Sequence, residues 1–568
     1  MPTRRALLAS AALAPLLTAG PRIAAHVETR VEAAATPIAT LQTSAPPDLT
    51  GVTPLPLAGE RLADFEAYVA ARLAEVGVPG AAVAVVQGGA VAFLQGFGVR
   101  ELGRPALVTV DTMLRIGSVT KSFSSLLAAT LVDAGRLDWD TPLVDLLPTF
   151  AVSDPELMPR LTIRDAFCAC TGLPRRDLEF ILKAQALTPE LVIDGMARLP
   201  LTTPFGETYQ YNNQMVAAGG FAAAVAAGGS PHDLSHAYAI ALRERVLNPI
   251  GMPRTTLALT EVVSGNDYAT PHAEGIAGVL HPLPLLADDL WLIPVAPAGA
   301  LWSSAREMAR YLQTELGRGL GPDGDRVVSA ANLERTWQPG VTFPSVPDAP
   351  PTLTASIGYG LGWGVGAYGG QRLINHSGAT FGFTSLVTLL PDADLGLVIL
   401  MNATGAAGRL TNAVQLRLLE LLFDQPGVAD AGLTAFLAAA DRQRAELLTQ
   451  LGQVDPAVVS PFLGQYANAD LGELTLALRA GTLLVTVGGF QSALRPRRDA
   501  DAPVTAYLPV DAPFCEGGLS PTPMTFGLHL GADGRPQVLL TIQDDEGENL
   551  VYRYEPVGMA ATPAPAVD

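Results

Sequence analysis

The feature that most constrains this chain is the stretch Leu114-Arg115-Ile116-Gly117-Ser118-Val119-Thr120-Lys121-Ser122-Phe123, which sets a serine three residues before a lysine where a helical pattern begins. Phe123, Leu126, Leu127, Thr130 and Leu131 recur at helical spacing, and Gly135 follows as a stop. Positions i and i+3 share a helix face, so Ser118 and Lys121 should point the same way, with Ser118 at the helix N-terminus. A hydroxyl is a poor nucleophile at neutral pH without an adjacent base. A lysine can be that base only if burial or nearby charge lowers its pKa. Only two of the 36 basic residues are lysines, Lys121 and Lys183. Arginine cannot release its proton in a protein, so a lysine at 121 in an arginine-rich chain marks a candidate base.

Size and charge limit what can surround this motif. At 568 residues the chain is long enough for two to four domains. The formal charge of −19 comes without any basic run, which argues against nucleic acid as a partner. Of the three cysteines, Cys168 and Cys170 stand one residue apart, a spacing read here as poorly placed to bridge, and Cys515 is distant. All three are expected to be small buried hydrophobes. No Cys/His spacing suggests zinc, and no metal or cofactor is expected. Arg4-Arg5 followed by the apolar run Ala6 to Ala19 reads as a signal peptide over residues 1–20. The expected location is therefore periplasmic or extracellular, with the cytoplasm as the alternative. No later stretch is expected to span a membrane.

In order along the chain, residues 21–55 read as a linker, rich in Ala, Thr and Pro. A helix is expected from Leu62 to Val76. Two apolar runs joined by Gly88-Gly89 predict a hairpin. After Gly135 the texture is helical and loop-rich to about Pro297. Strands are predicted at 358–365, 371–375, 383–390 and 395–401, then a helix from Leu410 to Phe423. Strands at both ends of a helical middle predict one antiparallel sheet, flanked by helices, with a helical insertion. The fold class is α+β, over residues 56–425. A connecting helix is expected within 426–456. The alternation of Leu474, Leu476 and Leu478, and of Met524, Phe526, Leu528 and Leu530, predicts a small β-barrel or sandwich over 457–557. Residues 558–568 read as a disordered tail.

Two downstream segments join the serine motif: Tyr211-Asn212-Asn213, and His376-Ser377-Gly378-Ala379. Together the three resemble the Ser-x-x-Lys, Tyr-x-Asn and His-x-Gly signatures of the serine β-lactamase and penicillin-binding-protein superfamily. The chain looks most like its class C branch, which includes esterases and D-amino-acid-specific peptidases. Flanks at Thr171-Gly172-Leu173-Pro174, Pro297-Ala298-Gly299 and Tyr359-Gly360-Leu361-Gly362-Trp363 extend the resemblance over roughly residues 60 to 422. The C-terminal β-domain resembles the lipocalin-like domain that some of these relatives carry.

The resemblance implies an acyl-transfer site. Ser118 would be the nucleophile. Lys121 or Tyr211 would take its proton. Asn213 would hydrogen-bond Lys121 and substrate. His376 would adjust Tyr211 and bind substrate, with Gly378 and Ala379 on the same strand. The oxyanion would sit on the backbone N–H groups of Ser118 and Ala379. Tyr209 competes with Tyr211, but only Tyr211 has asparagine at i+2.

Two departures bear on substrate. Cys168-Ala169-Cys170 replaces a segment that often holds a histidine, and His376 stands where true β-lactamases usually carry lysine. The expected partner is a small ester, amide or D-amino-acid peptide; a β-lactam, or a sensor that acylates without turnover, is the alternative. Self-association stays open. No Gly-x-Ser-x-Gly occurs, which counts against an α/β-hydrolase.

Overall fold

The computed structural model describes residues 47–344, 353–498, 506–515, 524–543 and 549–557. The expected signal peptide, most of the expected linker and the expected tail lie outside them. Helix α1, Glu60–Val76, presents Phe65, Val69 and Leu73 on one buried face and ends at Gly77 in the left-handed conformation. Strands β1, Gly80–Gln87, and β2, Ala90–Gly98, form the hairpin around Gly88-Gly89, both at positive φ. Helix α2, Thr120–Asp133, carries the serine motif at its head, and α3, Asn213–Ala226, belongs to the helical insertion.

Helix α4, Ala305–Leu316, precedes the remaining sheet strands: β3 Val341–Thr342, β4 Thr354–Tyr359, β5 Gly364–Tyr368, β6 Gln371–Thr380, β7 Phe383–Leu390 and β8 Leu395–Met401. The sheet is antiparallel throughout, in the order β2-β1-β8-β7-β6-β5-β4-β3. The first hairpin thus closes onto the last strand, with Val83 opposite Ile399. In β1 both faces are buried. Ala82, Ala84 and Val86 face the core shared with α2 and α3; Ala81, Val83 and Val85 face the core shared with α1 and helix α5, Ala407–Leu422. The site lies on the first of these faces.

Two expectations are corrected. The run 358–365 is not one strand: β4 ends at Tyr359 and β5 begins at Gly364. Between them Gly362 takes φ +77, and a Cβ there would fall 2.9 Å from the Lys121 carbonyl oxygen, so the chain turns to let α2 approach. Cys168 and Cys170 are joined by a disulfide. Ala169 between them adopts φ +54, a turn that an extended dipeptide lacks, and brings the two Cα atoms to 5.4 Å, within bridging range.

Helix α6, Ala429–Gln450, leads into eight strands: β9 Gly464–Asn468, β10 Gly472–Arg479, β11 Thr482–Val487, β12 Phe490–Arg497, β13 Ala506–Pro509, β14 Thr525–Leu530, β15 Pro536–Gln543 and β16 Asn549–Pro556. They form a closed antiparallel barrel in sequential order, shut by the pairing of β9 with β16. Leu474, Leu476, Leu483, Val485, Val538 and Leu540 fill it. The alternation fades at strand ends, where Leu530 is 62% exposed. The barrel packs on the sheet domain through Phe490, whose ring meets Phe381 edge-on at 5.4 Å, and through Ile276 N–H to Val510 O at 2.9 Å.

Helix α4 supports α2 directly. The Tyr311 ring stacks on Phe123 at 4.0 Å, and its hydroxyl donates to Ser122 Oγ at 2.8 Å. One turn on, Glu315 is 1% exposed, and burial pushes its carboxyl up to about 8. A raised acid pKa stabilises the fold fully below the unfolded value of about 4.3, and that contribution is lost as pH rises towards about 8. Glu315→Gln should therefore gain melting temperature over the wild type progressively across that window. The expected slope is at most about 1.4 kcal/mol per pH unit. Parallel pH-dependent melting curves of the two proteins would contradict it.

Candidate active site

The local sequence forces Ser118 into a tight approach. Leu114–Arg115 pairs with Trp302–Ser303, and Ile116 N–H donates to Leu301 O at 2.9 Å. Gly117 then takes φ +51, and a Cβ there would fall 2.8 Å from the Ala379 nitrogen. Gly378 is as constrained, since its Cβ would fall 2.1 Å from Ile116 O. Glycine at both positions lets β6 lie against the turn Gly117–Val119 that opens α2. Ser385 Oγ fastens the contact by donating to Ile116 O at 2.7 Å.

A buried ion network braces the same junction. Arg115 reaches Asp288 at 3.0 Å and Asp289 at 2.5 Å, donates to Ala300 O at 2.9 Å and lies over the Trp302 ring. Asp288 in turn accepts from Phe381 N–H at 2.8 Å, just past β6. An ion pair desolvated this far persists because each charge is also hydrogen-bonded.

Ser118, Lys121, Tyr211 and Asn213 meet there. Tyr211 O–H donates to Ser118 Oγ at 2.7 Å, and Lys121 Nζ lies 3.0 Å from the same oxygen. Lys121 Nζ also lies 2.7 Å from Asn213 Oδ1 and 2.7 Å from Ala298 O. Asn213 is the first residue of α3, held by its neighbour Asn212, whose side chain caps the helix by accepting from Met215 N–H. Ser118 keeps partial exposure, whereas Lys121 is fully buried.

His376, on β6, sits differently from expectation. Its Nδ1 is 2.5 Å from Ser377 O, so Nδ1–H donates there, and Nε2 accepts from the Tyr359 hydroxyl at 2.8 Å. Both ring nitrogens are engaged away from Tyr211, whose ring centroid is 6.4 Å off. The two rings are tilted to each other, and Tyr359 packs edge-on to both, at 6.5 Å from Tyr211 and 5.8 Å from His376. Tyr209 packs on Phe343 and Tyr359 instead. Gly378 is buried, and Ala379 is exposed.

Burial sets the protonation of the cluster. Desolvation drives Lys121 well below its ordinary value, with Arg175 adding to the effect and Asp177 opposing it. Desolvation raises the Tyr211 phenol despite its bond to Ser118 and the nearby Arg175. His376 is pushed down to about 3, by burial first and Lys121 second, and is neutral across the physiological range.

Several participants were not singled out in the sequence. Arg175 lies over the Tyr211 ring at 5.2 Å; Asp177 accepts from Asn213 Nδ2 at 2.9 Å; the Ala298 carbonyl holds Lys121. Ala298 and Tyr359 fall inside flanks of the resemblance. Asp177 gives no sequence signal beyond being an acid at the first position of a short helix.

Known proteins share the sequence pattern and the fold. The family profile described as Beta-lactamase matches residues 65–421. The "Unguisins hydrolase ungD'" of Aspergillus campestris is 25% identical over 504 residues, 84% of this chain and 88% of that protein. "Penicillin-binding protein 4" of Amycolatopsis lactamdurans is 29% identical over 354 residues, 62% of this chain and 87% of that protein. Among solved structures, the octameric penicillin-binding protein homologue from Pyrococcus abyssi aligns with a TM-score of 0.55 at 20% identity. It covers 87% of this chain and 99% of its own, a likeness of fold.

Proposed function

The chain belongs to the beta-lactamase family, and we propose that within it the protein is a serine hydrolase cleaving a small ester or amide bond through an acyl-serine intermediate. One observation carries the reading: Ser118 Oγ is flanked by a tyrosine hydroxyl and a buried lysine whose other neighbours are both acceptors. A neutral amine has two N–H donors and one lone pair. Asn213 Oδ1 and Ala298 O take the donors, which leaves the lone pair for the Ser118 proton. The opposed pKa shifts support Lys121, rather than Tyr211, as the acylation base.

Lys121 takes the Ser118 proton as Oγ attacks the substrate carbonyl carbon. The oxyanion faces the backbone N–H groups of Ser118 and Ala379; one such donor is worth about 3 kcal/mol of barrier. Tyr211 gives its proton to the leaving oxygen or nitrogen as the bond to carbonyl carbon breaks, and Lys121 reprotonates Tyr211. Water then replaces the leaving group and reverses the transfers, releasing the acid.

A neutral His376 places no cation where true β-lactamases usually carry lysine, which favours substrates without a recognition carboxylate. A relative named as a hydrolase of unguisins fits a hydrolase reading, and the octameric neighbour makes self-association worth measuring. Turnover of a p-nitrophenyl ester, a D-aminoacyl anilide and nitrocefin by one preparation tests the assignment. Ester or anilide turnover exceeding nitrocefin turnover supports it; nitrocefin alone would make the protein a β-lactamase. Stoichiometric acylation without turnover would make it a sensor.

Tyr211→Phe separates the acid from the base. p-Nitrophenolate leaves without a proton, whereas an amine needs one. Anilide kcat should fall by about 10²–10⁴-fold and ester kcat far less. Equal losses on both substrates would contradict the acid role.

A further inference from the structure

We propose that Asp177 is a positioning residue that fixes which way round the Asn213 amide sits and so presents an acceptor to the Lys121 amine. The proposal rests on the reading of Ser118 and Lys121 given above. An asparagine amide offers an oxygen acceptor at one end and an N–H donor at the other. At this site the two ends face opposite demands. Lys121 Nζ stands 2.7 Å from Oδ1, and Asp177 Oδ2 accepts from Nδ2 at 2.9 Å. Turned over, the amide would set N–H groups against the amine and oxygen against carboxylate. An ionised carboxylate only accepts, so Asp177 selects the orientation in which Oδ1 occupies one amine N–H and leaves the lone pair to Ser118.

Asp177 is itself held. Its Oδ2 also accepts from Arg175 Nε at 2.7 Å. It opens the short helix Asp177–Leu182, which the barrel grips from behind. Tyr552 O–H donates to Glu179 at 3.3 Å, and Lys183 Nζ donates to Ala469 O at 2.7 Å. Gly488, in the turn between β11 and β12, has φ +59, and a Cβ there would fall 2.6 Å from Leu182 O. The segment is thus fitted between the cleft and the barrel, which gives the C-terminal domain a structural bearing on the site.

Among the described residues the charged and titratable groups around Lys121 are Asp177, Arg175, Tyr211 and His376, and of these Asp177 alone supplies negative charge to the amine. The test is the second-order rate of labelling by a fluorophosphonate probe as a function of pH, in the wild type, Asp177→Asn and Asp177→Glu. Fluoride leaves unaided in that reaction, so Tyr211 does not intervene. Asp177→Asn should slow labelling by about ten- to a hundredfold, the span of one charge-assisted hydrogen bond. Its acid limb should move to lower pH, because the ammonium loses its anionic neighbour. Asp177→Glu, which keeps the charge at a longer reach, should restore the limb and part of the rate. If Asp177→Asn does not fold, the Asp177→Glu profile decides: a limb at the wild-type pH with a reduced rate is the expected result.

A variant profile superimposable on the wild type, in rate and in limb, would overturn the proposal while leaving the nucleophile assignment standing. A wild type that does not label at Ser118 would overturn that assignment and this proposal with it.

Discussion

Ser118→Ala is expected to lower kcat on any substrate by about 10⁴-fold or more and to abolish covalent labelling, with no change in fold. The magnitude follows from the absence of a substitute. Tyr211 O–H and Lys121 Nζ converge on Ser118 Oγ at 2.7 and 3.0 Å, and among the described residues no other hydroxyl shares that position. The fold should survive because the turn is held by backbone and by other side chains. Ile116 is bonded to Leu301 and Ser385, Thr120 Oγ1 donates to Gly117 O at 2.7 Å, and Arg115 is anchored to Asp288 and Asp289. Steady-state rates with circular dichroism on the same samples check both halves. Residual turnover within about tenfold of the wild type would remove Ser118 from the reaction.

The second large effect belongs to Lys121. Lys121→Met keeps much of the side-chain volume and removes the base, and acylation should slow by about 10²–10⁴-fold. Lys121→Arg should be nearly as damaging, since a guanidinium keeps its proton. Lys121→Met should not cost stability in proportion. Met leaves Asn213 Oδ1 and Ala298 O without a donor, but it also removes a desolvated amine. The pH profile of the wild type gives an independent sign. Lys121 acts when neutral and its pKa is lowered, so activity should rise with pH through a value below the ordinary lysine range. The raised Tyr211 phenol should impose no alkaline loss short of the ordinary tyrosine pKa of about 10. Near-normal acylation by Lys121→Arg would transfer the base role to Tyr211.

The architecture was legible where periodicity and punctuation agree. The hairpin around Gly88-Gly89, strands 383–390 and 395–401, and the barrel alternation at Leu474 and Leu476 all fall where the patterns put them. Legibility failed where a long-range contact overrides a local pattern. Gly358 to Val365 alternates like a strand, but Gly362 turns to admit α2. Cys168 and Cys170 bridge because Ala169 leaves the extended region.

The site divides in the same way. Ser118, Lys121, Tyr211 and Asn213 carry recognisable spacing, and they meet. His376 carries it too, but its hydrogen bonds go to Tyr359 and Ser377, which no spacing reveals. Asp177 reaches the site through position alone, since an acid at a helix start looks like any other in a sequence, and the Ala298 carbonyl is a backbone oxygen marked only by the flank that holds it.

The most direct test is peptide mapping by mass spectrometry after reaction with a fluorophosphonate probe. One equivalent of phosphonyl adduct is expected, carried on the Ser118 hydroxyl and forming faster as pH rises through the depressed Lys121 value. An adduct located on another residue, with Ser118 unmodified, would contradict this expectation.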